Sequence, residues 1–274
     1  MDWMVVLAYL VVIVLIIIIP FVLGKILTKK LNVPWKPFIY GAVFFFVVQL
    51  FHTPLVLLIQ APFMKSISFL QNQTLELAVL SIFLGLLAGL FEEIGRYLIF
   101  KRYYKKKVLN PTKESALLFG TGWGFGECIF VGVILLISLV SYTMLTPLTQ
   151  TQIQDINASM DGTLTNAQLE KINAQVDSVI NQSPGYVFFG LIERIWVIVM
   201  QIGFTMIVFS AVVLNKKWLL VFAIAYHTFM DALFVFISQT WGLLPTETLL
   251  GVLAIITFFY VRSLFTKQNS LSHS

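Results

Sequence analysis

The chain has 274 residues, of which 58% are hydrophobic and only 11% are charged. These proportions exclude an ordinary water-soluble globular domain. The formal net charge of +5 could indicate a nucleic-acid partner, but the basic residues flank long apolar segments, which favours a membrane and no nucleic acid. The composition therefore predicts a multi-pass protein of the cell membrane.

Seven apolar segments are long enough to cross roughly 30 Å of hydrocarbon as helices. The first, Trp3–Leu23, lacks the basic start and the cleavage site of a signal peptide, so we interpret it as an uncleaved span. The predicted fold class is an all-α polytopic helical bundle, with residues 1–274 forming a single transmembrane domain. The other spans are expected at Pro37–Ile59, Leu77–Phe100, Ala116–Leu145, Tyr186–Leu214, Trp218–Ile237 and Thr248–Leu264.

Lysine and arginine residues cluster after spans one, three, five and seven, whereas the loops on the other side carry only Lys65 and Lys171. The positive-inside rule then places the N-terminus outside and the C-terminus in the cytoplasm. The cluster Lys101–Lys107 is expected to face the anionic lipids of the inner leaflet. The tail, residues 266–274, is expected to be disordered.

The hydrophilic loop 146–184 is predicted to lie on the outer side. Thr165 and Gln168 resemble a capping box at the start of a helix. Apolar residues recur after them at helical spacing: Leu169, Ile172, Val176, Val179 and Ile180. This pattern predicts a short amphipathic helix that covers the bundle or, alternatively, acts as a lid.

Span three carries three charges, Glu92, Glu93 and Arg96, within an otherwise hydrophobic run. A charge at membrane depth costs roughly 2.5–3.5 kcal/mol and normally marks function. Glu92 lies roughly 14 Å above Lys101 along a helix, well inside the hydrocarbon. Because Glu92 and Arg96 are four residues apart, they share a helix face, where the guanidinium can neutralise a carboxylate.

Spans four and six carry polar residues at a similar depth. Glu127 on span four and His227 and Asp231 on span six are all expected inside the hydrocarbon. His227 and Asp231 again share a helix face. Because buried ionisable groups must face one another or a water-filled cavity, these residues are expected to converge with those of span three.

Glycines indicate which spans approach closely. Span four has glycine at every second position between Phe119 and Glu127, and span three carries Gly85 and Gly89. Small residues allow membrane helices to pack tightly. We therefore expect spans three and four to pack together, which would bring Glu127 toward the glutamates of span three.

Such a cluster suits peptide hydrolysis, which needs a base for water, an acid for the leaving amine and donors for the oxyanion. Neighbouring carboxylates that share protons can supply a base and an acid together. The alternative is a buried polar network with a structural role only.

Three segments, Glu92–Arg96 (EEIGR), Trp123–Glu127 (WGFGE) and His227–Asp231 (HTFMD), resemble the signatures of the PrsW-type branch of the glutamic intramembrane proteases. That superfamily also includes the type II CAAX prenyl endopeptidases and the CPBP proteins. The order and spacing are most similar to the YhfC family. The resemblance implies an intramembrane endopeptidase acting on a membrane protein or peptide.

The same resemblance implies roles for individual residues. Glu92 would activate water, Glu127 would be its partner carboxylate, and His227 with Asp231 would stabilise the oxyanion or hold a metal. The full candidate catalytic set is Glu92, Glu93, Glu127, His227 and Asp231, with Arg96, Gln201 and Glu193 in support.

The sequence departs from the family pattern at two positions. Trp123 takes the place of a phenylalanine, a mild exchange. Gln201 stands where a histidine is expected after Glu193–Arg194, and an amide is a poor zinc ligand. No cofactor is therefore required; zinc remains possible on Glu92, Glu127, His227 and Asp231. The departure favours a metal-free mechanism, or an inactive relative.

Other polar residues receive simpler interpretations. Glu193 and Arg194 are expected near the outer surface as an ion pair that orients span five, with direct catalysis as the alternative. His52 is expected to pack or to lie at the interface, with a site role as the alternative. Cys128 is expected in the core, because it points away from Glu127 on the helix.

Two functions of other classes remain open. One is a catalytically inactive, protease-like binding or immunity factor, which the Gln201 departure favours. The other is an ion-coupled transporter, because buried Glu, His and Asp also form proton relays. The sequence shows no inverted repeat, which counts against the transporter.

Overall fold

The structure is a computed structural model that describes residues 2–146, 173–174 and 176–269. Regular structure in these residues is helical throughout, as predicted. Seven long helices follow one another, and a short 3-10 turn, Ser68–Leu70, succeeds the second. They are α1 Trp3–Leu31, α2 Lys36–Ile67, α3 Gln73–Lys105, α4 Lys113–Leu145, α5 Pro184–Val213, α6 Lys217–Thr240 and α7 Leu243–Asn269.

All seven helices are long and apolar enough to cross a membrane, which confirms the predicted number of spans. Large apolar side chains remain exposed on them, among them Leu50, Leu57 and Leu58 at 71–73%. In a multi-pass membrane protein these side chains face lipid. The helices extend beyond the predicted spans, since α2 continues to Ile67 and α7 begins at Leu243. Hydropathy locates the hydrocarbon crossing, whereas hydrogen bonding and capping decide where a helix ends.

The chain divides into two compact units. The first, which we call the smaller unit, comprises Met1–Ile17 and Ile129–Ile192, and its core includes Val5, Tyr9 and Tyr142. The second, the larger unit, comprises Ile18–Cys128 and Glu193–Ser274. All residues of the predicted catalytic set belong to the larger unit. A single domain over residues 1–274 stays a prediction.

The predicted amphipathic helix in loop 146–184 is only partly covered by the structure. Its capping box and the residues up to Ile172 lie outside the described residues. Val176, Val179 and Ile180 are helical. Val179 packs against the core of the smaller unit. Whether the segment acts as a cover or as a lid stays a prediction.

The glycines of α4 do not face α3, so the expectation that they draw spans three and four together was wrong. A methyl group added at Gly122 would collide with the carbonyl oxygen of Phe38 in α2, and one at Gly120 would lie 3.0 Å from Ile202 in α5. The glycines of α4 thus let α2 and α5 approach. Glycine spacing shows that a close contact exists, but it does not identify the partner helix.

Two glycines of α3, Gly85 and Gly89, face α6. A methyl group added at Gly85 would lie 2.6 Å from the carbonyl oxygen of Thr228, and one at Gly89 would lie 2.8 Å from that of Ile224. Helix α3 therefore packs directly on α6, backbone against backbone. This contact brings the charged residues of α3 beside His227.

The orientation in the membrane stays a prediction and can be tested with single cysteines on either side of α3. We expect Gln71→Cys to react with a membrane-impermeant maleimide in intact cells, and Lys106→Cys to react only after permeabilisation, because the basic loop should lie inside. The native Cys128 is buried and should stay unlabelled. Labelling of both introduced cysteines from the same side would contradict the orientation.

Candidate functional site

Helix α3 supplies a buried group of three charges. Glu92 is 5% exposed, and Glu93 and Arg96 are fully buried. Arg96 Nη2 donates to Glu92 Oε2 at 2.9 Å, and Arg96 Nη1 donates to Glu93 Oε1. The spacing of three and four residues allows one guanidinium to reach both carboxylates. Arg96 therefore pairs with two glutamates rather than the one that the sequence analysis gave it.

Trp123 of α4 adds two contacts to this group. Its indole Nε1 donates to Glu92 Oε2 at 2.9 Å, and its ring lies 4.3 Å from the Arg96 guanidinium carbon. The stacking is a cation–π interaction. Phenylalanine could stack in the same way but could not donate the hydrogen bond. The exchange that looked mild in the sequence thus gives Glu92 an additional donor.

Gln201 of α5 lies between the Arg96 guanidinium and the carboxylates of Glu92 and Glu127. Its Oε1 accepts from Arg96 Nη2, and its Nε2 donates to Glu127 Oε2 at 2.7 Å and to Glu92 Oε2 at 3.3 Å. An amide carries both an acceptor and two donor hydrogens, so it can bridge a cation and two anions. Through Gln201 the carboxylates of Glu92 and Glu127 become part of one network.

Arg194 of α5 bonds the other carboxylate oxygen of Glu127. Arg194 Nη1 donates to Glu127 Oε1 at 2.8 Å, and Arg194 Nη2 donates to Glu193 Oε1. Arg194 is 8% exposed and lies well inside α5. The expected position of this pair at the outer end of the span was therefore wrong. An arginine inside an apolar span was the signal for buried anionic partners.

His227 of α6 stands between two carboxylates. Its Nδ1 lies 2.6 Å from Glu93 Oε1, and its Nε2 lies 3.5 Å from Asp231 Oδ2. Phe204 stacks on the imidazole with ring centroids 4.4 Å apart. His227 is 3% exposed, whereas the side chain of Asp231 is 42% exposed. The four-residue spacing thus places both side chains at the site, with Asp231 on its open side.

Gln49 of α2 also reaches the site, although the sequence analysis did not single it out. Its Nε2 donates to Glu92 Oε1 at 3.3 Å. Glu92 is therefore surrounded by donors from α2, α3, α4 and α5. These contacts compensate for the burial of a carboxylate in an apolar bundle. A glutamine in a long apolar run gives no sequence signal of its partner.

A cavity of about 350 Å³ opens beside this network. Its polar wall combines residues from five helices: His52, Glu92, Glu127, Glu193, Arg194, Gln201, His227 and Asp231. Glu93 and Arg96 lie behind that wall and contact the residues that form it. Cys128 is buried as a free thiol, as expected for a core residue. The catalytic roles of the predicted residues stay predictions, but the structure brings all of them to one place.

The donor atoms present fit a divalent metal ion. Glu92, Glu93 and His227 each offer one ligand atom, and these atoms all lie within 4.8 Å of one another. Glu93 Oε2 is buried and has no hydrogen-bond partner among the described residues. Carboxylate and imidazole are ligands that zinc accepts. This group includes Glu93, whereas the sequence analysis named Glu92, Glu127, His227 and Asp231 as the ligands in case a metal is bound.

Comparison with known proteins finds a membrane protein among the relatives of this chain. One relative, the "Uncharacterized membrane protein YhfC" of Bacillus subtilis (strain 168), is 29% identical over 151 residues. The aligned part is 53% of this chain and 52% of the relative, so it spans about half the length of each. No solved structure matches the chain.

A family model described as "YhfC intramembrane metalloprotease" matches residues 13–257, which is most of the chain. The matched range includes every residue of the buried network and of the cavity wall. The resemblance found in the three sequence motifs is thereby confirmed. The chain belongs to the YhfC intramembrane metalloprotease family.

Proposed function

We propose that the chain is a metal-dependent intramembrane endopeptidase that hydrolyses a peptide bond of a membrane-associated protein or peptide. The observation that carries the proposal is the buried group of Glu92, Glu93 and His227, whose ligand atoms lie within 4.8 Å of one another next to a cavity. Buried ionisable groups that converge beside a concave site are typical of active sites.

Glu92, Glu93 and His227 are the residues that would hold the metal. A zinc ion bound there would lower the pKa of a coordinated water and polarise the substrate carbonyl. The family description favours this over the metal-free mechanism that Gln201 had suggested. Gln201 Oε1 accepts from Arg96, so in the proposal this residue acts as a structural partner of the network rather than as a ligand.

The remaining polar residues have roles in holding and moving protons. Glu127 lies on the cavity wall outside the ligand group, and in the proposal it takes the proton from the attacking water. Arg194 and Gln201 each bond one oxygen of Glu127 and thereby fix its orientation. Asp231 lies beside His227 Nε2 and orients the imidazole.

One observation favours an inactive, protease-like binding protein instead. The guanidinium of Arg96 already pairs with both Glu92 and Glu93, where it competes with a metal for the same carboxylates. A metal ion can therefore bind only if each carboxylate contacts both the metal and Arg96, or if Arg96 loses its contact with one of them. The proposed function depends on the outcome of this competition.

The test is cleavage of a reporter with one apolar transmembrane helix by the purified protein in liposomes. We expect cleavage to stop with a membrane-permeant zinc chelator, to continue with its non-chelating isomer, and to return when zinc is added back. Cleavage that resists chelation would support a metal-free glutamate mechanism. Reporter binding without any cleavage would support the inactive binding protein.

A further inference from the structure

His52 of α2 is a second histidine at the cavity, outside the group that would hold a metal. It forms part of the cavity wall together with Glu92 and Asp231. Its ring packs against Phe91 at a centroid distance of 5.5 Å, and its Nδ1 lies 3.0 Å from Gln49 Oε1. The sequence analysis had favoured a packing role for this residue, and these contacts favour the alternative.

The contact of Gln49 with Glu92 fixes which way its amide points. Gln49 Oε1 accepts a hydrogen bond from Thr53 Oγ1 at 3.0 Å, and Gln49 Nε2 donates to Glu92 Oε1 at 3.3 Å. A flipped amide would direct its carbonyl oxygen at the Glu92 carboxylate, acceptor against acceptor. The carboxylate therefore determines that the oxygen of Gln49 faces His52.

The orientation of Gln49 in turn fixes the tautomer of His52. An amide oxygen can only accept, so the proton of a neutral His52 must lie on Nδ1. The other ring nitrogen, Nε2, then carries a lone pair. Nε2 is buried and has no hydrogen-bond partner in the part of the chain that the structure describes. Glu92 and His52 are thus coupled through one glutamine.

We propose that His52 binds the substrate: Gln49 holds its Nδ1-protonated tautomer, and its Nε2, which is covered in the structure, becomes accessible when a peptide enters the cavity and accepts a hydrogen bond from one of the peptide's backbone N–H groups. This inference rests on the proposed function. A peptide bond inside a helix is shielded, so a segment that is cleaved must unwind and expose N–H groups, which need acceptors inside a membrane.

Two other acceptors of the cavity wall, Glu92 and Glu127, are less available. Both oxygens of Glu92 and both oxygens of Glu127 accept hydrogen bonds within the protein. Nε2 of His52 is a neutral acceptor, which suits an uncharged amide donor. His52 does not belong to the group of ligand atoms that lie within 4.8 Å of one another, so the geometry points to a peptide rather than to the metal.

Two substitutions test the roles of the two ring nitrogens of His52 separately. His52→Asn can keep the donor toward Gln49 but removes the acceptor at the Nε2 position, whereas His52→Gln can place an amide oxygen near that position. We expect His52→Asn to raise KM for the reporter about tenfold, equivalent to about 1.4 kcal/mol, with kcat within about twofold. His52→Gln should recover most of the loss.

The matched control is Thr53→Val, which removes the other hydrogen bond to Gln49 Oε1 on the same helix. The KM of the Thr53→Val variant for the reporter should stay within about twofold of the wild-type value. If His52→Asn instead lowers kcat with KM unchanged, His52 acts only through Glu92, and the inference is wrong. The same affinities can be measured as Kd on chelator-treated protein, so the comparison does not require turnover.

A spectroscopic measurement tests the tautomer without any substrate. The chain has three histidines, so ring nitrogen NMR of histidine-labelled protein can be assigned with His52→Asn. We expect a protonated Nδ1 and an unprotonated Nε2 for His52, with the Nε2 resonance shifting when the reporter peptide is added to chelator-treated protein. A proton on Nε2, or a shift on addition of zinc alone, would overturn the inference while leaving the proposed function intact.

Discussion

Glu92→Gln is expected to reduce reporter cleavage by at least about 10²-fold, which corresponds to roughly 2.7 kcal/mol of transition-state stabilisation. The substitution keeps the volume of the side chain but replaces an anionic oxygen with an amide nitrogen. A metal would lose a ligand, and a metal-free mechanism would lose its base. The effect should therefore appear in kcat under either mechanism, measured with the reporter in liposomes.

Glu114→Gln is the control for this substitution. Glu114 lies in the first turn of α4 and outside the cavity wall. Cleavage by this variant should stay within about twofold of the wild type. Equal losses in the two variants would indicate that the loss of any glutamate charge lowers cleavage and that Glu92 has no special role.

The number of spans could be predicted because each one must bury its backbone polar groups in a helix and present apolar side chains to lipid. Those demands are local and leave a signal in every segment. The ends of the helices were less visible in the sequence, since α2 and α7 continue beyond the predicted spans. The partner of each helix was also unpredictable, as the glycines of α4 show by packing on α2 and α5.

The candidate site was partly predictable for a related reason. A charge in an apolar span is costly, so Glu92, Glu127 and His227 were conspicuous in the sequence. Gln49 was not, and Trp123 stood out only as a mild exchange within a motif, because the cost of burying an amide or an indole depends on neighbours that the sequence does not give. Arg194 was visible as a charge, but its bond to Glu127 depends on how α4 and α5 pack, which no single segment encodes.

Arg96→Met is expected to destabilise the folded protein by about 3–5 kcal/mol, the scale for removing one partner of a buried ion pair. The Arg96 side chain is fully buried and bonds Glu92, Glu93 and Gln201. Without it two adjacent carboxylates would remain in an apolar interior with no cation between them. The thermal midpoint in detergent and the yield of folded protein should both fall.

A second substitution can show that charge, and not lost packing, causes this effect. Adding Glu93→Gln to Arg96→Met removes one of the two unpaired carboxylates, so the double variant should be more stable than Arg96→Met alone. Arg96→Lys should recover only part of the stability, because one ammonium cannot reproduce the planar contacts to two carboxylates and an amide. If the double variant is no more stable than the single one, the guanidinium contributes through its packing on Trp123, and the carboxylates of Glu92 and Glu93 must already share a proton.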